Sequence, residues 1–313
     1  MLRRLEELDR LDLRNPDPEQ VLWPDGRSSR HDPRAWQPSL PQPLATVPWW
    51  QRHKRGSALL AVCVLAGGWF AAPHAGEWSS NFTSARIAAG EQHPPSSGSS
   101  SRQLPAVALT DIPRSDRFAF LATQDDSAAP ITFDPCRPIH YVVRDRVGPR
   151  GRKVISAAVS EVSRATGLRF VDDGLTDEAP TKDRALYQPQ RYGERWAPVL
   201  IAWSDAREEP ELAGNTAGLG GGRPVRDTHG RLTYVSGSVW LDTEALAPDL
   251  STVEGSRGVQ AVVMHELAHV LGAAHVPSSR ELMHAENSGQ TSFGVGDRYA
   301  LSMLGNGECV PGL

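Results

Sequence analysis

The chain has 313 residues, of which 39% are hydrophobic and 25 are proline, with a formal net charge of −4. This near-neutral balance excludes a polyelectrolyte partner such as nucleic acid. The low apolar content excludes a core running the whole length, so one sizeable domain with extensions is expected.

Residues 1–55 begin with "MLRRLEELDRLDL", whose leucines can line one side of a short helix. From Asn15 to Pro48, Pro, Asp and Arg dominate without apolar periodicity, and the segment is expected to be disordered. Its tryptophans and charges permit a cytoplasmic partner. The only lysines are Lys54, Lys153 and Lys182, against many arginines, alanines and glycines. That is the composition of GC-rich, bacterial coding.

Residues 56–76 carry no formal charge, and a membrane helix needs about 20 largely apolar residues. Arg52, Lys54 and Arg55 precede the stretch and Glu77 follows it, which orients the N-terminus to the cytoplasm. Trp49, Trp50 and Trp69 suit interfacial positions. The segment reads as a single-pass anchor in the cell membrane. A cleaved signal peptide, giving a secreted protein, is the competing reading, although such signals start close to the N-terminus. Either reading exports the rest of the chain. Cys63 lies inside the span, as a free thiol or a lipidation site.

Residues 77–130, with "GEQHPPSSGSSSRQLP", read as a Ser/Pro-rich stalk. The folded domain is expected over 131–313. Strands are predicted at "RPIHYVVR" (137–144), "LRFVDD" (168–173), "APVLIAWSD" (197–205) and "SGSVWLDTE" (236–244), the third apolar enough to be central in its sheet. "NTAGLGGGRPV" (214–225) stays open between edge strand and loop. A helix is predicted over 151–167, with Val154, Ile155, Ala158, Val159 and Val162 on one face and Gly167 as its stop. Ser251 with Glu254 fits a capping box before the next helix, and a last helix is expected near 295–305. The interleaving gives an α/β or α+β class.

"HELAHVLGAAH" (265–275) carries the chemistry. His265 and His269 are one helical turn apart and can chelate one zinc, with Glu266 within reach of a metal-activated water without being a ligand. Val262, Val263, Leu267 and Val270 provide apolar packing. A catalytic zinc needs a third protein ligand. Gly272 can take positive φ, end the helix and turn the chain back, which makes His275 that ligand.

These residues resemble the HExxHxxGxxH pattern of the metzincin metallopeptidases. "SSRELMHAE" supplies Met283, placed like the family's Met-turn methionine, with a spacing most similar to the matrixin group. The resemblance implies a metzincin-like zincin fold: a twisted, mixed five-stranded sheet, an active-site helix, the Met-turn and a C-terminal helix. It also implies that "NTAGLGGG" borders the cleft and pairs with an extended peptide substrate. The implied function is a membrane-anchored, extracytoplasmic zinc endopeptidase, with His265, His269 and His275 on the metal and Glu266 as general base. A non-enzymatic cell-surface binding module on the same fold is the alternative, which the intact Glu266 disfavours. Some metzincins carry a tyrosine two residues past the methionine; here Ala285 stands there, so no tyrosine role carries over. Specificity would be set by the loop Pro277–Asn287. His284 is expected at the surface beside the site, and His140 and His229 are expected to be structural or solvated. Matrixins commonly bind structural calcium, for which Asp172, Asp173, Asp205 and Asp242 are candidates by residue type only. Cys136 and Cys309 bracket the domain, and outside the cytoplasm a disulfide between them is expected. The rival is that "DPCRP" (134–138) loosely resembles an inhibitory propeptide cysteine.

Overall fold

The computed structural model describes Pro94, Pro95 and residues 100–227 and 229–313. The N-terminal segment 1–55, the expected anchor at 56–76 and residues 77–93 and 96–99 of the expected stalk lie outside the described residues. Among the described residues, no helix is long and apolar enough to cross a membrane.

A mainly parallel sheet organises the domain. Strand β2 (Ile139–Arg144) pairs in parallel with β3 (Phe170–Leu175) on one side and β4 (Val199–Ser204) on the other. β4 in turn pairs in parallel with β6 (Leu232–Asp242). The edge strand β5 (Gly218–Arg226) runs antiparallel to β6, which resolves the open reading of the glycine-rich stretch as strand. The order is therefore β3-β2-β4-β6-β5. A two-residue strand, β1 (Thr132–Phe133), pairs in parallel with Thr233 and Tyr234 of β6. The expected five strands thus become six, because the long β6 extends past β4 and leaves room beside its first residues.

β4 is buried at every position, as its unbroken apolar run predicts. Val199, Ile201 and Trp203 join the main core, whereas Leu200 and Ala202 join a second cluster with Val142, Leu212 and Trp240. That alternation is the period-2 geometry of a strand covered on both faces. Helix α1 (Pro149–Thr166) starts with Pro at its first position and ends at Gly167, whose φ of 69° is the left-handed cap conformation. Its predicted apolar face is buried in the main core. On the second face, the connection between β3 and β4 is held by an internal polar staple. Arg184 donates to both carboxylate oxygens of Glu178 at 2.9 Å and to Ser236 Oγ at 3.1 Å.

Helix α2 (Val253–Leu271) begins one residue later than the expected cap. Thr252 is the N-cap, its Oγ1 accepting from Gly255 N–H at 3.0 Å, while Ser251 Oγ donates to Pro248 O. Both residues are hydroxyl-bearing, and only Thr252 has the extended backbone a cap needs. Helix α3 (Val295–Gly305) closes the fold.

The expected start near Ile131 and the stalk boundary at 130 are corrected by the packing of the preceding residues. Arg102 Nη2 donates to Gly305 O at 2.9 Å, and Gln103 N–H donates to Pro135 O at 3.1 Å. Val107 O accepts from Ser302 Oγ and Asn306 Nδ2. Phe118 packs its ring on Phe120 and Tyr299. Polar composition disguised this stretch as linker, because its anchors are few and mostly main-chain.

Candidate metal centre

The site is built on the C-terminal end of α2. His265 and His269 project from one face, and Val263, Leu267 and Val270 are buried on the others. At Gly272 the helix stops. Its φ is 107°, and its N–H donates to His269 O at 3.0 Å while Ala273 N–H donates to Ala268 O at 2.9 Å. This left-handed turn reverses the chain and returns His275 to the first two histidines.

The three Nε2 atoms converge. His265 and His269 are 3.0 Å apart, His265 and His275 3.0 Å, and His269 and His275 3.1 Å. The outer nitrogens fix the tautomers of two of the rings. His265 Nδ1 lies 2.8 Å from Leu282 O, and His269 Nδ1 lies 2.8 Å from Ala273 O. A carbonyl only accepts, so the Nδ1 atoms of His265 and His269 carry the proton and the Nε2 atoms of both present a lone pair inward. Lone pairs this close repel unless a cation lies between them. An ion about 2.0–2.1 Å from each nitrogen satisfies this spacing, which is the reach of zinc to imidazole. Among the described residues, the only other cluster of this kind contains the two disulfide cysteines.

Burial keeps these rings in the ligand form. It lowers His265 to about 4, with His275 adding to the effect. His269 is held well below the ordinary histidine range by burial and by both neighbouring rings, and His275 is lowered by burial and by His284. Glu266, the residue after His265, is 7% exposed, and burial pushes its carboxyl up to about 8. It faces a cleft of about 730 Å³ lined by the three histidines, Gly218–Gly222 of β5, Leu282 and His284.

β5 lies directly against α2. A Cβ at Gly220 would be 2.2 Å from Glu266 O, and one at Gly222 would be 2.3 Å from Val270 O. A Cβ at Gly218 would be 3.0 Å from Glu266 Cγ. The alternate glycines bring the strand backbone onto the helix, and its other edge carries no paired strand among the described residues.

Met283 is 2% exposed, and its carbonyl accepts from Val276 N–H at 2.9 Å, linking its loop to the residue after His275. Two carboxylates that the sequence reading passed over hold this loop. Asp297 accepts from Leu282 N–H, from Met283 N–H at 3.3 Å and from Gly294 N–H at 2.9 Å. Glu281, 0% exposed, accepts from Gly296 and Asp297 N–H. The signal for Asp297 was present: it stands three residues past Gly294, where a side chain caps a helix start.

The four calcium candidates are not brought together. Asp172 caps Gly174 N–H, Asp173 pairs with His140 and Arg195, Asp205 caps Arg207 and Glu208, and Asp242 caps Glu244. Each is used by a turn or an ion pair. Cys136 is bonded to Cys309, with Cα atoms 5.4 Å apart, so the thiol required by the propeptide reading is consumed. His284 sits at the rim of the cleft, half-buried, with Nδ1 against Glu286 O.

No family model matches the sequence, and no curated protein matches it. Among solved structures, the chain is similar to archaemetzincin from Methanopyrus kandleri, with 15% identity and a TM-score of 0.28 over 51% of this chain and 83% of that one. It is also similar to the GM1-bound form of the ECX AB5 holotoxin, with 13% identity and a TM-score of 0.23 over 44% and 52%. Both likenesses are slight, and the convergence of the three histidines stands without them.

Proposed function

We propose that this chain is a zinc-dependent endopeptidase of the metzincin type, with a matrixin-like ligand spacing, anchored in the membrane through residues 56–76 with its folded domain outside the cytoplasm. The observation that carries the reading is the meeting of three inward Nε2 atoms at 3.0–3.1 Å beside the buried carboxyl of Glu266. His265, His269 and His275 would hold the ion. When bound, zinc supplies Lewis-acid polarisation of a carbonyl and acidifies water.

The remaining steps belong to the chain. The edge of β5 that pairs with no strand among the described residues offers main-chain N–H and C=O groups to an extended peptide, which would lie antiparallel in the cleft. Glu266 takes a proton from the attacking water at its carboxylate and passes it to the departing amine nitrogen. Burial makes that carboxylate a stronger base than an exposed one, and cationic charge beside it favours its ionised form. The Met283 loop is tied to the ligand set through Leu282 O, which accepts from His265 Nδ1, and through Met283 O, which accepts from Val276 N–H. The Cys136–Cys309 disulfide suits an oxidising compartment, in line with export, and the basic flank of residues 56–76 supports the orientation.

The test is the full chain in detergent, wild type against Glu266→Gln, with zinc content by elemental analysis and cleavage of a mixed peptide library. One zinc per chain is expected in both proteins, with cleavage about 10²–10⁴-fold slower in the variant. A zinc-loaded wild type that cleaves nothing overturns the peptidase reading. A wild type that takes up no zinc overturns the metal reading as well.

A further inference from the structure

The two loops that complete the metal centre are both held by one short stretch preceding the expected domain. Leu121 N–H donates to Gly272 O at 2.8 Å, and Ala274 N–H donates to Ala119 O at 2.9 Å. Phe120 and Ala273 thereby form an antiparallel bridge across the turn that delivers His275. The centre of that turn is Ala273, whose carbonyl accepts from His269 Nδ1. Four residues before Leu121, Arg117 Nε donates to Glu281 Oε1 at 2.8 Å. Glu281 leads directly into Leu282, whose carbonyl accepts from His265 Nδ1 and whose N–H is held by Asp297. The approach is tight on the other side too, since a Cβ at Gly296 would be 2.0 Å from Arg117 O.

We infer that residues 117–121 form a strap that positions the metal ligands, with Arg117 acting through Glu281 as a positioning residue. The inference rests on the metal-centre reading above. Glu281 is 0% exposed, and a buried carboxylate needs a counter-charge as well as its N–H donors. Arg117, 41% exposed, is the ion-pair partner that reaches it. Without the guanidinium, the loop that sets the His265 ring relaxes toward solvent, and the three nitrogens lose their common focus. Groups that orient metal-bound histidines typically change metal affinity by about 10–100-fold when removed.

Zinc affinity of the detergent-solubilised full chain, measured by competition with a chromophoric chelator, tests the strap. Thermal unfolding of the metal-free form is followed in parallel. Arg117→Ala is expected to bind one zinc about 10–100-fold more weakly, while its metal-free form stays folded with a Tm lowered by the loss of the ion pair. Arg117→Lys, which restores the charge, should recover part of that affinity. Wild-type affinity in a folded Arg117→Ala chain overturns the strap while leaving the metal centre intact. No zinc on the wild type overturns both. Should Arg117→Ala fail to fold, the near-isosteric Glu281→Gln decides. Weakened zinc binding supports the strap, and unchanged binding overturns it.

Discussion

Gly272 shows what one residue contributes to the centre. At φ 107° it occupies backbone space that costs other L-residues about 1–2 kcal/mol. A methyl group there would also press on the Tyr234 ring at 3.1 Å and Leu304 at 3.3 Å. Gly272→Ala is therefore expected to lower stability by about 1–2 kcal/mol and to weaken zinc binding, because the strain falls on the turn carrying His275. Metal-free Tm and chelator competition check this; a variant unchanged in both would show that the turn tolerates a side chain. This part of the site was legible in the sequence, since a helical turn, a glycine stop and a returning histidine are all local geometry. Glu281 was not legible as a support, and the spacing of Asp297 pointed only to a helix cap. Their roles depend on where Arg117 and the start of α3 arrive in space, and sequence spacing does not carry that.

The same limit appears at the scale of elements. β4 and the three long helices were visible because an apolar period of 2 or 3.6 is a direct record of which side is buried. β5 carries almost no apolar signal. Its burial is against backbone, so its record is glycine at alternate positions, which looks like loop. The close packing predicts a specific sensitivity. At Gly220 a Cβ would meet Glu266 O at 2.2 Å, a main-chain atom that cannot rotate away. Gly220→Ala must push strand and helix apart at the residue carrying the proposed base. The expected cost is about 1–3 kcal/mol, the range for an overpacked core, together with slower peptide cleavage by the zinc-loaded chain. Urea unfolding and a cleavage assay measure the two effects, and a neutral substitution would mean that β5 does not sit on α2 as described.

Over the whole molecule, composition hid the packed stretch before Ile131, while the pairing of the two cysteines was legible. The disulfide joins residues 173 apart, and closing so long a loop contributes about 5 kcal/mol in the chain-entropy account. Stability should also respond to pH through groups outside the metal-ligand set. Burial would by itself raise Glu178, but its bonds with Arg184, Tyr192 and Gln188 prevail and hold it below the usual carboxylate range. In the window below that range the unfolded chain takes up the proton first, so this contribution is lost on acidification. Glu209 acts in the opposite sense. It is 7% exposed, and burial, followed by the charges of Glu208 and Glu211, raises its carboxyl from 4.5 to about 7. Between those values the folded chain binds more proton than the unfolded one, so stability falls as pH rises through the window. Glu209→Gln removes the penalty. The variant should match wild type near pH 4.5 and exceed it by on the order of 2–3 kcal/mol near pH 8, measured as urea midpoints on metal-free protein at both pH values. A difference that is the same at both pH values would show that Glu209 titrates normally in the fold.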